Sequence, residues 1–303
     1  MYYRIAVVCI LAAVFPFSAL AAAEQPALSV KIVATFDYPG VGNSTTGVEI
    51  NEDGTVAGFF TNSSGMISGF VRLRDGTFSA PIVEPDDGNT TLASGINNIE
   101  TVSGYFVGAG DGFFHGYLLA GNNFTPFDVP GALSTMVEKN NDAGDFVGAF
   151  TTSTHDFQAY VNVGGNTDPI NIPPALTSFA EGMNQIGEVV GFYADSGGIV
   201  HAFFRSASGV LKFPIDFPGA VLTSVLEDVN DQGEMVGRYT DGAGVIHGAF
   251  FKRPGVFASF DFPGASATSL NGINNGGFVT GRYTDGAGVR HGFILRIAGA
   301  SAP

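Results

Sequence analysis

The chain has 303 residues, with 28 acidic against 13 basic ones, a formal net charge of −15 at pH 7. Nothing in that balance would neutralise phosphate, so nucleic acid and anionic membrane surfaces are excluded as expected partners. Forty-five per cent hydrophobic residues, 43 Gly and 28 Phe exclude a disordered chain and suit many short strands joined by tight turns.

Residues 1–23 read as a secretory signal peptide. Arg4 is the only charge before Glu24, and the apolar run IAVVCILAAVFPFSALAA ends in Ala21-Ala22-Ala23, a pattern that signal peptidases cut. An uncleaved anchor is the alternative, against which the Ala-x-Ala end and the following acid argue. The protein is thus expected to be secreted or periplasmic, with no membrane insertion after cleavage. Cys9, the only cysteine, lies in that segment, so the mature chain is expected to form neither a disulfide nor a thiolate metal site. The acidity fits the solubility of an exported protein.

From residue 24 to 298 the chain reads as one domain of six repeats of about 45 residues, followed by a short tail at 299–303. It opens on an isolated strand, SVKIVATFDYP. Each repeat then approaches an Asn that is followed seven residues later by a Gly. The pairs are Asn51/Gly58, Asn97/Gly104, Asn141/Gly148, Asn184/Gly191, Asn230/Gly237 and Asn274/Gly281. Next comes a turn such as TDGAG, containing Asp111, Asp195, Asp241 and Asp285 in four repeats. A triplet of the His-Gly-Phe type follows, with His115, His201, His247 and His291, but Ser68 in the first repeat and Gln158 in the third. A DxPG turn closes the unit, intact at Asp37, Asp128, Asp216 and Asp261 and degraded at Glu84 and Asn171. Gly, Asn and Asp clusters separate four short segments per unit, and none is long enough for an ordinary helix.

Four strands per unit of this length predict an all-β fold, a six-bladed β-propeller of four-stranded blades. The last repeat stops after its third strand, while the N-terminus supplies a spare fourth one. Their pairing is expected to close the ring and remove an exposed edge.

GINNGGFVTGRYTDGAGVRHGF and the FDFPGA turns resemble the extracellular HAF repeat of bacterial exported proteins, whose name is spelled by His201-Ala202-Phe203. The resemblance covers nearly all of residues 30–298. It implies bacterial origin and export, and it brings no catalytic residues.

The residues that could carry chemistry mostly recur, which favours a frame. Histidines on the third strands of different blades stand too far from the axis to share one metal ion. Each is expected to donate within its own blade. The Asp of DxPG is expected to organise its turn, with Pro fixing φ. The repeated Asn is read as structural too. Asp111, Asp195, Asp241 and Asp285, with His155 and Asp156 from the divergent third repeat, are the candidate ligand residues of a loop face. No cofactor is expected, although hard cations such as Ca²⁺ are conceivable at an acidic rim; no loop matches a calcium-binding pattern. The expected role is a non-enzymatic binding or scaffold protein, monomeric, with an unknown extracellular ligand or protein as partner. The alternative is a hydrolase or lyase acting on polysaccharide at the channel mouth, for which His155, Asp156, Glu138 and Lys139 are the residues to mutate. The twin stretches Gly237–Val245 and Gly281–Val289, both GRYTDGAGV, read as frame.

Overall fold

The computed structural model describes residues 28–40, 44–151, 156–173, 175–252 and 255–297. The expected signal segment, His155 and the tail lie outside them. Every regular element among the described residues is a strand. After β1 (Val30–Phe36), the first repeat forms β2 (Ser44–Ile50), β3 (Val56–Thr61) and β4 (Ile67–Arg72). The second forms β5 (Asp87–Ile96), β6 (Val102–Gly108), β7 (Phe114–Ala120) and β8 (Asn123–Phe127). The third forms β9 (Ser134–Asn140), β10 (Phe146–Thr151), β11 (Phe157–Val163) and β12 (Asn166–Pro169). The fourth forms β13 (Thr177–Met183), β14 (Val189–Ala194), β15 (Val200–Arg205) and β16 (Leu211–Ile215). The fifth forms β17 (Thr223–Val229), β18 (Glu234–Thr240), β19 (Ile246–Lys252) and β20 (Val256–Phe260). The sixth forms β21 (Ala267–Ile273), β22 (Phe278–Thr284) and β23 (Arg290–Ile297).

Successive strands within a repeat pair antiparallel, as short tight turns require. β1 takes the fourth place of the sixth repeat, with Val30 opposite Ile297 and Phe36 opposite Gly292. The expectation of four strands in every unit fails in the first repeat. Beyond β4 only two isolated bridges remain, Gly69 to Ile82 and Arg72 to Phe78. Between them the Val71 N–H donates to Ser79 Oγ rather than to a backbone carbonyl, and Pro81 has no N–H to offer.

The first strands carry a bulge just before the Asn, shifting register between Leu226 and Asp228 in β17 and between Leu270 and Gly272 in β21, for example. The mid-strand Gly explains itself here: a Cβ on Gly237 would collide with the carbonyl oxygen of Val225, and one on Gly281 with that of Ser269. The apolar core is split into six clusters, each spanning two adjacent repeats. One of them joins Phe36 and Ile294, beside the last repeat, to Ile50, Val56 and Phe70 of the first. In the first three strands of a repeat, period-2 alternation buries one side against the repeat before and the other against the repeat after, whereas the fourth strands β8, β12 and β16 stay exposed or half-buried.

Candidate functional site

The Asn landmarks build one end of the molecule. Each is buried, and its Oδ1 accepts from the backbone N–H four residues on, as Asn51 does from Thr55 at 3.0 Å and Asn274 from Phe278 at 3.0 Å. In five repeats the Nδ2 donates to the Asn carbonyl of the next repeat: Asn51 to Asn97, Asn97 to Asn141, Asn184 to Asn230, Asn230 to Asn274 and Asn274 to Asn51, while Asn141 donates to Asp145 within its own turn. The residues after them hand on a second set of bonds. The N–H of Glu52 donates to Asn98, Asn98 to Asp142, Asp142 to Gln185, Gln185 to Asp231, Asp231 to Asn275, and Asn275 back to Glu52, all at 2.8–3.0 Å. These two tiers surround a cavity of about 50 Å³. It is lined by amides and carboxylates that are already bonded.

The histidines lie toward the other end, each between two carboxylates of its own unit. His115 Nδ1 meets Asp128 at 2.9 Å and its Nε2 meets Asp111 at 3.2 Å. His201 stands likewise between Asp216 (2.7 Å) and Asp195 (3.6 Å), and His247 between Asp261 (2.9 Å) and Asp241 (3.3 Å). His291 joins Asp285 (3.4 Å) to Asp37 (2.9 Å), 254 residues away at the end of β1. The rings of His247 and His291 also stack on Tyr239 and Tyr283. In the third repeat Gln158 Nε2 donates to Asn171 at 2.8 Å, a neutral version of the same link.

The loop aspartates are therefore committed twice over. In Asp241 and Asp285 one oxygen accepts two backbone N–H groups of the turn while the other faces the imidazole. Backbone donors hold the carboxyls of Asp111, Asp195 and Asp285 below the ordinary range, and His contributes. Each of the four aspartates is held by the turn and the histidine of its own repeat, not by one another. Asp156 is exposed and lines a separate cleft of about 340 Å³ between the third and fourth repeats. Among the described residues, no group of three or more His, Cys, Asp or Glu could hold a metal ion.

The least repetitive chemistry converges on the first strands. Two positions before the Asn the repeats read Glu49, Gly95, Lys139, Gly182, Asp228 and Gly272, charged and Gly in alternation. The three charged side chains are buried, and Lys139 lies between the other two. Its Nζ pairs with Glu49, stands 3.6 Å from Asp228 and donates to the carbonyl of Asn271 at 3.2 Å. The glycines make this possible, since a Cβ on Gly182 would sit 2.6 Å from the Cα of Asp228. Burial and the Asp228 charge push Glu49 up to about 8, against the pull of Lys139. Burial likewise raises Glu138, Glu181 and Asp228. Glu138 and Lys139 were legible as non-repeat polar residues. Glu49 and Asp228 were missed, although reading one repeat position down the chain would have found them.

One residue past the mid-strand Gly the repeats diverge again, to Phe59, Tyr105, Ala149, Phe192, Arg238 and Arg282. Arg238 forms an ion pair with Glu227. Burial raises the Tyr105 hydroxyl, and Glu138 and Glu181 add to the effect, so this tier lies within electrostatic reach of the first-strand acids.

No protein-family model and no curated protein matches the chain. Among solved structures it is similar to a variant of the Aleuria aurantia lectin in complex with alpha-methyl-L-fucoside, at 10% identity over 85% of this chain and 92% of that one, TM-score 0.53. It is also similar to TolB from Acinetobacter baumannii, at 12% identity over 80% of this chain and 65% of TolB, TM-score 0.52. A third likeness, to the BP39L lectin from Burkholderia pseudomallei, has 13% identity over 86% of this chain and 97% of that one, TM-score 0.46. At such identities the first two speak for the fold alone: the all-β chain has the β-propeller fold.

Proposed function

We propose that the chain is an exported, six-bladed β-propeller, closed by β1, that binds an extracellular ligand without transforming it. Six blades are supported by six inter-repeat clusters and by the hydrogen-bond cycle that returns from Asn275 to Glu52. Closure is supported by β1 on β23 and by the His291–Asp37 pair. Export rests on the signal-like residues 1–23, and kinship with HAF-repeat proteins rests on the repeat signature itself.

One observation carries the binding role. The recurring Asn, Asp and His side chains are engaged in their own turns, whereas the position after the mid-strand Gly departs from the repeat and carries aromatic and cationic groups. It lies in the half of each second strand that leads to the TDGAG turns. Aromatic faces with a few charged donors are what saccharide sites use. A saccharide is the first class to test, since the Aleuria aurantia lectin, of like fold, holds a fucoside. The test is a glycan array with the purified mature chain, followed by calorimetry and product analysis. Retention of one saccharide class unchanged is the expected result. Release of cleaved product would overturn the non-enzymatic reading.

A further inference from the structure

Arg238 and Arg282 hold the same place in the two copies of GRYTDGAGV. β18 sets Arg238 opposite Val225, and β22 sets Arg282 opposite Ser269. The difference lies two residues further along each first strand, at the bulge. The fifth repeat has Glu227 there, and its carboxylate pairs with Arg238. The sixth has Asn271, whose amide is already bonded: Oδ1 accepts from Ser269 Oγ at 2.6 Å and Nδ2 donates to the Gly47 carbonyl at 2.8 Å. The charged neighbours that act on Arg282 are both cations, Arg238 and Arg290, and among the described residues no carboxylate lies within ion-pair distance of it. Burial, with those two charges, holds its guanidinium down to about 9. A half-buried cation against like charges is costly unless an anion joins it.

We propose that Arg282, with Arg290 beside it at the start of β23, binds the carboxylate of an acidic saccharide, a uronic acid unit. The ligand's carboxylate does for Arg282 what Glu227 does for Arg238. A guanidinium presents a planar fork that matches two carboxylate oxygens, and its twin already takes that partner in this fold. Phe59 holds the equivalent position in the next repeat around, where β2 packs on β22, and offers a ring face for the sugar. The proposal rests on the binding role above and names its chemistry.

The experiment is calorimetry with D-glucuronate, D-glucose and inorganic sulfate on the full mature chain, on Arg282→Gln and on Asn271→Glu. The second variant keeps Arg282 but gives it an internal carboxylate. Glucuronate is expected to bind the wild type, more weakly at high salt, with glucose silent and sulfate weaker. Each variant should lose about tenfold or more in affinity; Asn271→Glu also gives up the bond to the Gly47 carbonyl and should melt somewhat earlier, so affinities are compared at a temperature where every variant is folded. If Arg282→Gln melts early, Asn271→Glu alone decides. Absence of glucuronate binding, equal binding by the variants, or sulfate binding as tightly as glucuronate would overturn the site. A neutral saccharide bound equally by wild type and Arg282→Gln would leave the general binding role standing and remove this site alone.

Discussion

Asn274 donates from Nδ2 to the carbonyl of Asn51, 2.9 Å away and 223 residues earlier in the chain. The bond has the form of the one from Asn230 to Asn274, 3.2 Å long and only 44 residues apart. The two are the same link on either side of the sixth repeat, so breaking either should cost a similar amount, with Asn230 also losing its bond to Glu234. Asn274→Ala strips a partner from the buried carbonyl of Asn51 and from the N–H of Phe278. We expect a loss of about 2–3 kcal/mol in urea unfolding, matched by Asn230→Ala. A cheap Asn274→Ala beside a costly Asn230→Ala would show that the ends do not close.

β1 should be indispensable for the same reason. It covers the outer edge of β23, places Phe36 against Gly292 and brings Asp37 to His291. A chain beginning at residue 41 bares that edge and should self-associate, as light scattering would detect. A peptide of residues 28–40 supplied in excess should reverse the effect.

Much of this was written locally in the sequence. Turns need particular residues at particular offsets, so Asn51, Gly58 and the DxPG and TDGAG stretches declare themselves one repeat at a time. The spare strand at the N-terminus was legible because the last repeat ends one strand short. The missing fourth strand of the first repeat was not, because TFSAPIV has a strand-like composition and only the Ser79 and Val71 geometry shows the ladder breaking. The buried charge cluster was illegible for a different reason. Glu49, Lys139 and Asp228 are about ninety residues apart, and their meeting depends on a bulge in each first strand and on glycines at the repeats between. The twin GRYTDGAGV stretches read as frame, and their aspartates do hold their own turns. That one of their arginines has a glutamate and the other an asparagine needed the bulge register.

The two carboxylates around His115 should show themselves by titration. Burial opposes the charged form of His115, but hydrogen bonding and attraction from Asp128 and Asp111 outweigh it and hold the imidazole above its usual value of about 6.5. A raised folded-state value means that the stabilisation is complete below about pH 6.5 and fades as pH rises through the folded value. NMR titration of the His115 ring is expected to give a midpoint above 6.5. Asp111→Asn should bring the midpoint down, since Nε2 then loses a carboxylate 3.2 Å away. An unchanged midpoint would mean that Asp111 serves its turn alone.

The buried charges Glu49, Lys139 and Asp228 make the strongest stability prediction. Removing Lys139 leaves Glu49 and Asp228 buried against each other, so Lys139→Met should cost about 3–5 kcal/mol, in the range for breaking a buried pair. The pH dependence has a definite sign. Glu49 is raised from an ordinary 4.5 to about 8, so between those values the folded state holds a proton that the unfolded state has released. Stability must therefore fall as pH rises through that window and level off above it. Burial raises Glu138, Glu181 and Asp228 too, so they slope the same way. Glu49→Gln should flatten the fall without abolishing it, because Glu138, Glu181 and Asp228 still titrate. It should fold, because its Oε1 can still accept from the Ile50 N–H as Glu49 does at 3.0 Å. Denaturant midpoints for wild type and Glu49→Gln between pH 5 and pH 8 would check this. Stability rising with pH across that window in the wild type would show that the cluster holds its charges in a different arrangement.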